Sequence, residues 1–475
     1  MNRTHKIAQN TFFLIAAQIF NIAGRLLFSI FLVRYLGAIN LGYISIAIAI
    51  IELFHIITDF GLGIVATREI AQDKAKVSQY FGVMLGLKFI LALVASLLIF
   101  AVVRIAPYSS QVRIVVYIMV PSIFFNSLFT SFICIFRAHE NMQHESLISL
   151  SSSFIYILLG FLAIYLKLDI FFIAALTTIS ALVNLCMAAI IYRVKYQAVK
   201  LIFDKEFAQK LLKTSLPIGV GIILAMALSR LDVILLSLLK GANEVGLYSA
   251  AYRLIATFLF VPYYLATSMF PVMSDWQRQK KTEELKVLVE KIIRLSMIFI
   301  IPVAVFFSLV SGKLIVLLYG NNFSASGPIL ALLLWYLVAA FPAFILTHLL
   351  FLSHAKEYAL FYLIALLVNV VSNLLLIPIL GMTAVAINAI ISVLIIDFLS
   401  YYRIYTRLIK LNVVKPIILP LVASLGIVIL VFSFKTLNIL YLLFYSIILY
   451  FLILYLIRGL TRQDIIFFKG IIRLK

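Results

Sequence analysis

Charged residues are scarce in this chain, at 12% of its 475 residues, against about 25% in an ordinary soluble domain. Its two cysteines, Cys134 and Cys186, both lie inside apolar runs, which excludes a disulfide framework or a cysteine-based metal site. Glycine (19) and proline (11) are too few for a collagen-like or disordered chain. Because 65% of the residues are hydrophobic, more than soluble cores can bury, the composition predicts a membrane protein.

Long apolar runs are what the sequence does contain. Runs of about 20 residues, the length of a helix that crosses the bilayer, begin and end near residues 11–33, 40–58, 80–103, 114–136, 146–166, 170–192, 216–239, 245–270, 292–312, 328–352, 358–379, 381–402, 416–434 and 437–457. Helices satisfy their own backbone groups in lipid. The sequence therefore predicts an all-α polytopic membrane protein with about 14 transmembrane helices, within a range of twelve to fourteen.

The formal net charge of +21 is spread between these runs rather than gathered into a nucleic-acid-binding module. With the N-terminus inside, the inner segments hold 28 of the 39 Lys and Arg residues, counting Arg294 at the inner end of the run 292–312, and the outer loops hold 7. Since Lys and Arg stay on the cytoplasmic side of short loops, both termini are predicted to be cytoplasmic. The four remaining cations, Arg25, Lys88, Arg230 and Arg253, fall within spans.

An internal repeat relates the two halves. Residues 24–43 return as residues 229–248, six spans later, and Arg25 aligns with Arg230. An even offset gives both copies the same orientation in the membrane, as in the halves of many secondary transporters. We therefore expect a six-helix lobe in residues 1–200, a second in residues 201–410, and two further helices with a cytoplasmic tail in residues 411–475.

Catalytic motifs are weak throughout. Gly241 and Gly246 have phosphate-loop spacing, but Leu247 and Tyr248 follow where Lys and Ser or Thr are needed. The histidines at 139 and 144 are five apart, so they do not share a helix face as zinc ligands would. We accordingly expect no enzyme activity, no cofactor, no metal and no nucleic-acid partner.

Polar groups inside the spans carry more information, because ionisable side chains there usually face protein or a wet cavity. The first predicted helix, residues 11–33, carries a polar stripe formed by Thr11, Gln18, Asn21, Arg25 and Ser29. Such a stripe favours a cavity, although interhelical hydrogen bonds are the alternative. Arginine in a cavity suits bidentate contact with phosphate or carboxylate.

Two stretches resemble a known signature. They are Arg34-Tyr35-Leu36-Gly37 with Asp59-Phe60-Gly61-Leu62 and residues 66–71 in the first half, and residues 244–254 followed by Phe270-Pro271 in the second. Together with the doubled six-helix unit, they resemble the bacterial polysaccharide flippases of the Wzx type, in the multidrug/oligosaccharidyl-lipid/polysaccharide (MOP) exporter superfamily.

The resemblance implies a V-shaped pair of lobes in the bacterial inner membrane. Such a protein moves undecaprenyl-pyrophosphate-linked repeat units, for O-antigen (lipopolysaccharide) or a related surface polysaccharide, from the cytoplasmic to the periplasmic leaflet. Its partners would be this glycan, membrane lipids, and the polymerase and chain-length proteins of the pathway. The roles it implies are substrate binding for Arg25, Arg230 and Arg253, with Lys88 closer to the cytoplasm, and a cytoplasmic gate for Asp59 and Arg68.

Energy coupling must use ions or substrate, since no nucleotide site is predicted. In-span carboxylates, Glu52 and Asp397, are the ion-coupling candidates. Glu52 has a second interpretation, as a structural partner of Arg25 or Lys88. Three other functions stay open: a lipid-linked peptidoglycan-precursor flippase, a multidrug exporter of the same superfamily, and, with less support because the outer loops are short, a membrane glycan polymerase or glycosyltransferase.

Overall fold

The structure is a computed structural model that describes residues 3–196, 204–353, 355–434 and 437–459. Every regular element in this part of the chain is a helix. The α-helices are α1 (Arg3–His55), α2 (Leu62–Gln72), α3 (Val77–Ile105), α4 (Ser110–Met119), α5 (Pro121–Ala138), α6 (Met142–Tyr165), α7 (Ile170–Lys195), α8 (Lys205–Lys240), α9 (Ala242–Arg278), α10 (Thr282–Leu309), α11 (Ser311–Tyr319), α12 (Ser326–Ser353), α13 (Ala355–Leu380), α14 (Met382–Arg407), α15 (Val414–Ser433) and α16 (Ile439–Leu456).

Thirteen stretches of the described residues are long and apolar enough to cross a membrane. Twelve of them match one predicted span each. The other, Ala23–Thr58, is broken at Gly37, whose φ of 69° lies outside the helical region, so it contains parts of both of the first two predicted spans. The all-α polytopic fold is thus confirmed.

Short polar side chains and glycines set the helix ends. Asp169 accepts a hydrogen bond from the Phe172 amide at the start of α7, and Asp204 accepts from the first turn of α8. These caps satisfy amides that have no partner inside the helix. At Gly241 the backbone has a φ of 83°, a conformation open to glycine, and this separates α8 from α9.

The contacts divide the chain into two compact units. The first comprises Met1–Ala250 and Tyr362–Val385, and the second comprises Ala251–Phe361 and Ala386–Lys475. In the second unit, α10, α12, α15 and α16 enclose a large apolar core. The lobe boundaries expected from the repeat stay a prediction, and the expected cytoplasmic tail, residues 460–475, lies outside the described residues.

Large apolar side chains are also exposed on the helix surfaces. Leu97 is 60% exposed, Phe154 65% and Phe398 67%. Soluble monomers rarely show such apolar surface in large patches, whereas lipid is as apolar as these side chains. We interpret these surfaces as lipid-facing.

Candidate functional site

The first unit pairs two of the in-span charges that the sequence singled out. Glu52 of α1 and Arg230 of α8 form an ion pair, with 2.5 Å between Oε2 and Nε. The Glu52 side chain is 40% exposed and the Arg230 side chain 27%. The partner of Glu52 is therefore Arg230, and not Arg25 or Lys88 as its structural interpretation supposed.

Arg25, the repeat equivalent of Arg230, has different surroundings. Its Nε and Nη2 both donate to the Ser153 hydroxyl of α6, with 3.0 Å from Nε. The Ser153 hydroxyl in turn donates to the Ser149 carbonyl at 2.7 Å. Arg25 is exposed while Ser153 is buried, so a neutral partner holds a guanidinium that keeps an open face.

The polar stripe of helix 1 is only partly within the described side chains. Asn21 is buried, and Ser29 donates to the Leu26 carbonyl at 2.7 Å. Thr11 and Gln18 lie outside the side chains that the structure describes. Arg25 is therefore the member of the stripe whose surroundings bear on the choice between a wet cavity and interhelical hydrogen bonds.

Lys88 occupies a closed polar pocket. Its side chain is 0% exposed, and Nζ donates to Asp59 Oδ1 and to the Thr130 hydroxyl, both at 2.6 Å. The Asp59 side chain is 35% exposed. A buried cation with an acid and a hydroxyl as partners is suited to hold the loop after α1 in place.

That loop has unusual backbone geometry. Phe60 and Gly61 both have positive φ, 42° and 77°, which is uncommon for a bulky residue such as Phe60. A Cβ at Gly219 of α8 would lie 2.5 Å from the Phe60 carbonyl oxygen. The loop therefore lies directly on the α8 backbone, and Asp59 connects it to Lys88 of α3. Arg68, the other gate candidate, is 56% exposed and pairs with its neighbour Glu69 at 3.0 Å.

A buried polar cluster connects α8 with α13. Asp232 is 7% exposed and accepts a hydrogen bond from Asn373 Nδ2 at 2.6 Å. The same Asn373 Nδ2 donates to Asn369 Oδ1 at 3.0 Å. Asn369 and Asn373 are four residues apart and therefore lie on one face of α13, but nothing in the sequence predicts that this face meets Asp232.

The second unit holds the remaining two candidates. Arg253 is half-buried in α9, and its charge acts on Tyr319. Burial raises the pKa of the Tyr319 phenol to about 12, while Arg253 opposes this shift. Asp397 of α14 has a buried Oδ1 with no hydrogen-bond partner among the described residues.

Known proteins similar to this chain are flippases and transporters. A stretch of 171 residues is 26% identical to the probable flippase AglR of Haloferax volcanii, and this match covers 35% of this chain and 36% of that protein. The lipid II flippase MurJ in an inward closed conformation superposes with a TM-score of 0.78 over 97% of this chain and 100% of that chain, at 16% identity.

An inward-facing multidrug resistance transporter of the MATE family, in the MOP superfamily, superposes with a TM-score of 0.67. The match covers 81% of this chain and 95% of that chain, also at 16% identity. At such low identities the two superpositions establish the fold, which is that of MOP transporters.

The family is shown by sequence. Residues 7–277, more than half of the chain, match the family described as polysaccharide biosynthesis protein. This match and the MOP fold confirm the resemblance drawn from the sequence motifs. The chain belongs to the polysaccharide biosynthesis protein family.

Proposed function

We propose that this protein flips undecaprenyl-pyrophosphate-linked oligosaccharide repeat units, for O-antigen or a related surface polysaccharide, from the cytoplasmic to the periplasmic leaflet of the bacterial inner membrane. The observation that carries the proposal is the pair Arg25 and Arg230. They occupy equivalent positions of the two repeats, inside the membrane, on α1 and α8. Guanidinium groups there suit the pyrophosphate that joins lipid and glycan.

The chemistry of the in-span charges supports this substrate over a cationic drug. Arg25 is exposed, so it is accessible to an anionic ligand, and Arg230 is partly exposed beside Glu52. Arg253 in the second unit is a third substrate-binding candidate. Substrate binding by Lys88 stays a prediction. Because Asp59 already neutralises its buried charge, we propose a smaller contribution to substrate binding for Lys88 than for the arginines. A multidrug exporter would need a more acidic lumen.

A peptidoglycan-precursor flippase is the second candidate, because its lipid pyrophosphate would meet the same arginines. The fold supports both candidates equally, whereas the polysaccharide biosynthesis family match favours the first. Purified protein in vesicles that contain either lipid-linked precursor separates them by which lipid is flipped.

Energy for the cycle would come from differential binding of ions or substrate to the two access states. Asp397 and Glu52 are the carboxylates we propose for ion coupling. Asp397 is the better placed for a proton, since its buried Oδ1 has no partner in the described part of the chain, while Glu52 already has a cation beside it.

The test replaces the arginines. Arg25→Ala and Arg230→Ala should each lower surface glycan with membrane abundance near that of wild type, and Lys should rescue only partly because it lacks the planar fork. Lys313→Ala, on α11, is the control for loss of one positive charge elsewhere in the chain. Normal glycan display by the Arg25→Ala, Arg230→Ala double variant would reject the proposal.

A further inference from the structure

We infer that Glu52 is a specificity-determining residue, because it restricts Arg230 to ligands that carry at least two negative charges on adjacent phosphates. The inference rests on the proposed function and adds a means of rejecting other lipids. The juxtaposition behind it is the ion pair between Glu52 Oε2 and Arg230 Nε, at 2.5 Å.

Both side chains of the pair are partly exposed, although the two atoms that meet, Glu52 Oε2 and Arg230 Nε, are buried. The Arg230 side chain is 27% exposed and the Glu52 side chain 40%, so a ligand can approach without unfolding the helices. Lys88 shows the contrast, since its side chain is 0% exposed beside Asp59. A ligand can therefore replace Glu52 at Arg230 but cannot replace Asp59 at Lys88.

The repeat-equivalent arginine provides an internal comparison. Arg25 donates to the neutral Ser153 hydroxyl, whereas Arg230 faces a carboxylate. Any phosphate gains a new charge interaction at Arg25. At Arg230 an incoming anion first has to displace one negative charge that is already in place.

This displacement selects by charge. A diester phosphate, as in an ordinary anionic phospholipid, brings one negative charge, so its exchange with Glu52 gives no net electrostatic gain. The Glu52 carboxylate also competes at a high effective concentration, because it is fixed on the neighbouring helix whereas the ligand is free. A diphosphate brings a further charge, and the attraction is weakly screened where water is scarce. Glu52 thus keeps Arg230 from being occupied by the phospholipids of the surrounding bilayer.

The inference requires that the filter depends on the charge of Glu52 and not on the packing of α1 against α8. Glu52→Gln keeps the size of the side chain and removes the charge. Glu52→Ala removes both and serves as a second variant should the first fold poorly. Glu357→Gln is the matched control, since Glu357 and Arg403 form a similar half-buried ion pair in the second unit.

The experiment measures binding of farnesyl diphosphate and of farnesyl methyl phosphate, a diester with one negative charge, to the purified full chain in neutral detergent. For wild type and Glu357→Gln we expect the diphosphate to bind at least about tenfold more tightly than the diester, a difference of at least one charge interaction. In Glu52→Gln and Glu52→Ala the diester should bind several-fold more tightly, and the ratio of the two affinities should fall toward that of a site without a counter-ion. Arg230→Gln in the Glu52→Gln background should remove the gain.

Two outcomes would overturn the inference in distinguishable ways. If Glu52→Gln and Glu52→Ala keep the wild-type ratio while Arg230→Gln weakens diphosphate binding, Glu52 is no filter but the arginine site stands. If wild type binds no diphosphate, or Arg230→Gln and Arg25→Gln together leave its binding unchanged, the proposed function fails and the filter fails with it. A fall in the ratio that Glu357→Gln reproduces would also reject the specific role of Glu52.

Discussion

Gly42 lies so closely against the backbone of Ala242 that a Cβ on the glycine would overlap the alanine carbonyl oxygen. The reverse contact is present as well, since a Cβ on Gly246 would overlap the Ala38 carbonyl oxygen. Gly42 aligns with Gly246 and Ala38 with Ala242 in the repeat. Two copies related by a two-fold axis produce such a reciprocal contact, which supports the parallel repeat inferred from the sequence.

Gly42→Ala and Gly246→Ala should each destabilise the protein by about 1–3 kcal/mol, the usual cost of overpacking, because a backbone carbonyl is the obstacle and cannot rotate away. We expect a lower melting temperature in detergent, measured by size-exclusion chromatography of heated samples. Gly312→Ala, on α11, is the control, since nothing lies within 4 Å of the position that its added methyl group would take. Equal melting temperatures for all three variants would show that this contact is looser than the structure has it.

Lys88→Met should destabilise the protein by about 3 kcal/mol, since it leaves Asp59 and Thr130 without the ammonium group they share. The additional change Asp59→Asn should recover part of this loss, because a neutral amide needs no cation. Thermal melting of the purified variants measures both. Arg68→Ala, at an exposed ion pair, should change stability by less than about 0.5 kcal/mol. A double variant no more stable than Lys88→Met would argue against a direct Asp59–Lys88 role.

The helices were predictable from the sequence because apolar runs of membrane length have few alternative structures. Depth in the membrane could be counted along each helix, which placed Arg25, Glu52 and Arg230 within spans. The ion-pair partners of these side chains could not be derived by counting along the helices, since they depend on helix rotation and on which helices are neighbours. Glu52 thus pairs with Arg230, 178 positions away along the chain, and Lys88 takes Asp59 instead.

Asp397→Asn should leave the protein folded but remove the response of glycan flipping to an imposed pH gradient. An amide has the size and the neutrality of a protonated carboxyl group, and the buried Oδ1 has no hydrogen bond among the described residues to lose, so stability should change little. The measurement is the initial rate of flipping in sealed vesicles with and without the gradient. Asp169→Asn, at the N-cap of α7, is the control. A wild-type gradient response in Asp397→Asn would exclude this carboxylate from coupling.

Membrane sidedness gives a prediction that is independent of substrate. With Cys134 and Cys186 replaced by alanine, Ser110→Cys should react with an impermeant maleimide added to intact spheroplasts, and Thr282→Cys should react only after the membrane is opened. Both positions are exposed. The side of the membrane expected for each follows from the excess of Lys and Arg in the segments assigned to the cytoplasm. Asn243→Cys, in the first turn of α9, should behave like Ser110→Cys, because four predicted spans, an even number, lie between the two positions. Labelling of Ser110→Cys and Asn243→Cys from opposite sides would mean an odd number of crossings between them, and the parallel repeat, with the equivalence of Arg25 and Arg230, would have to be abandoned.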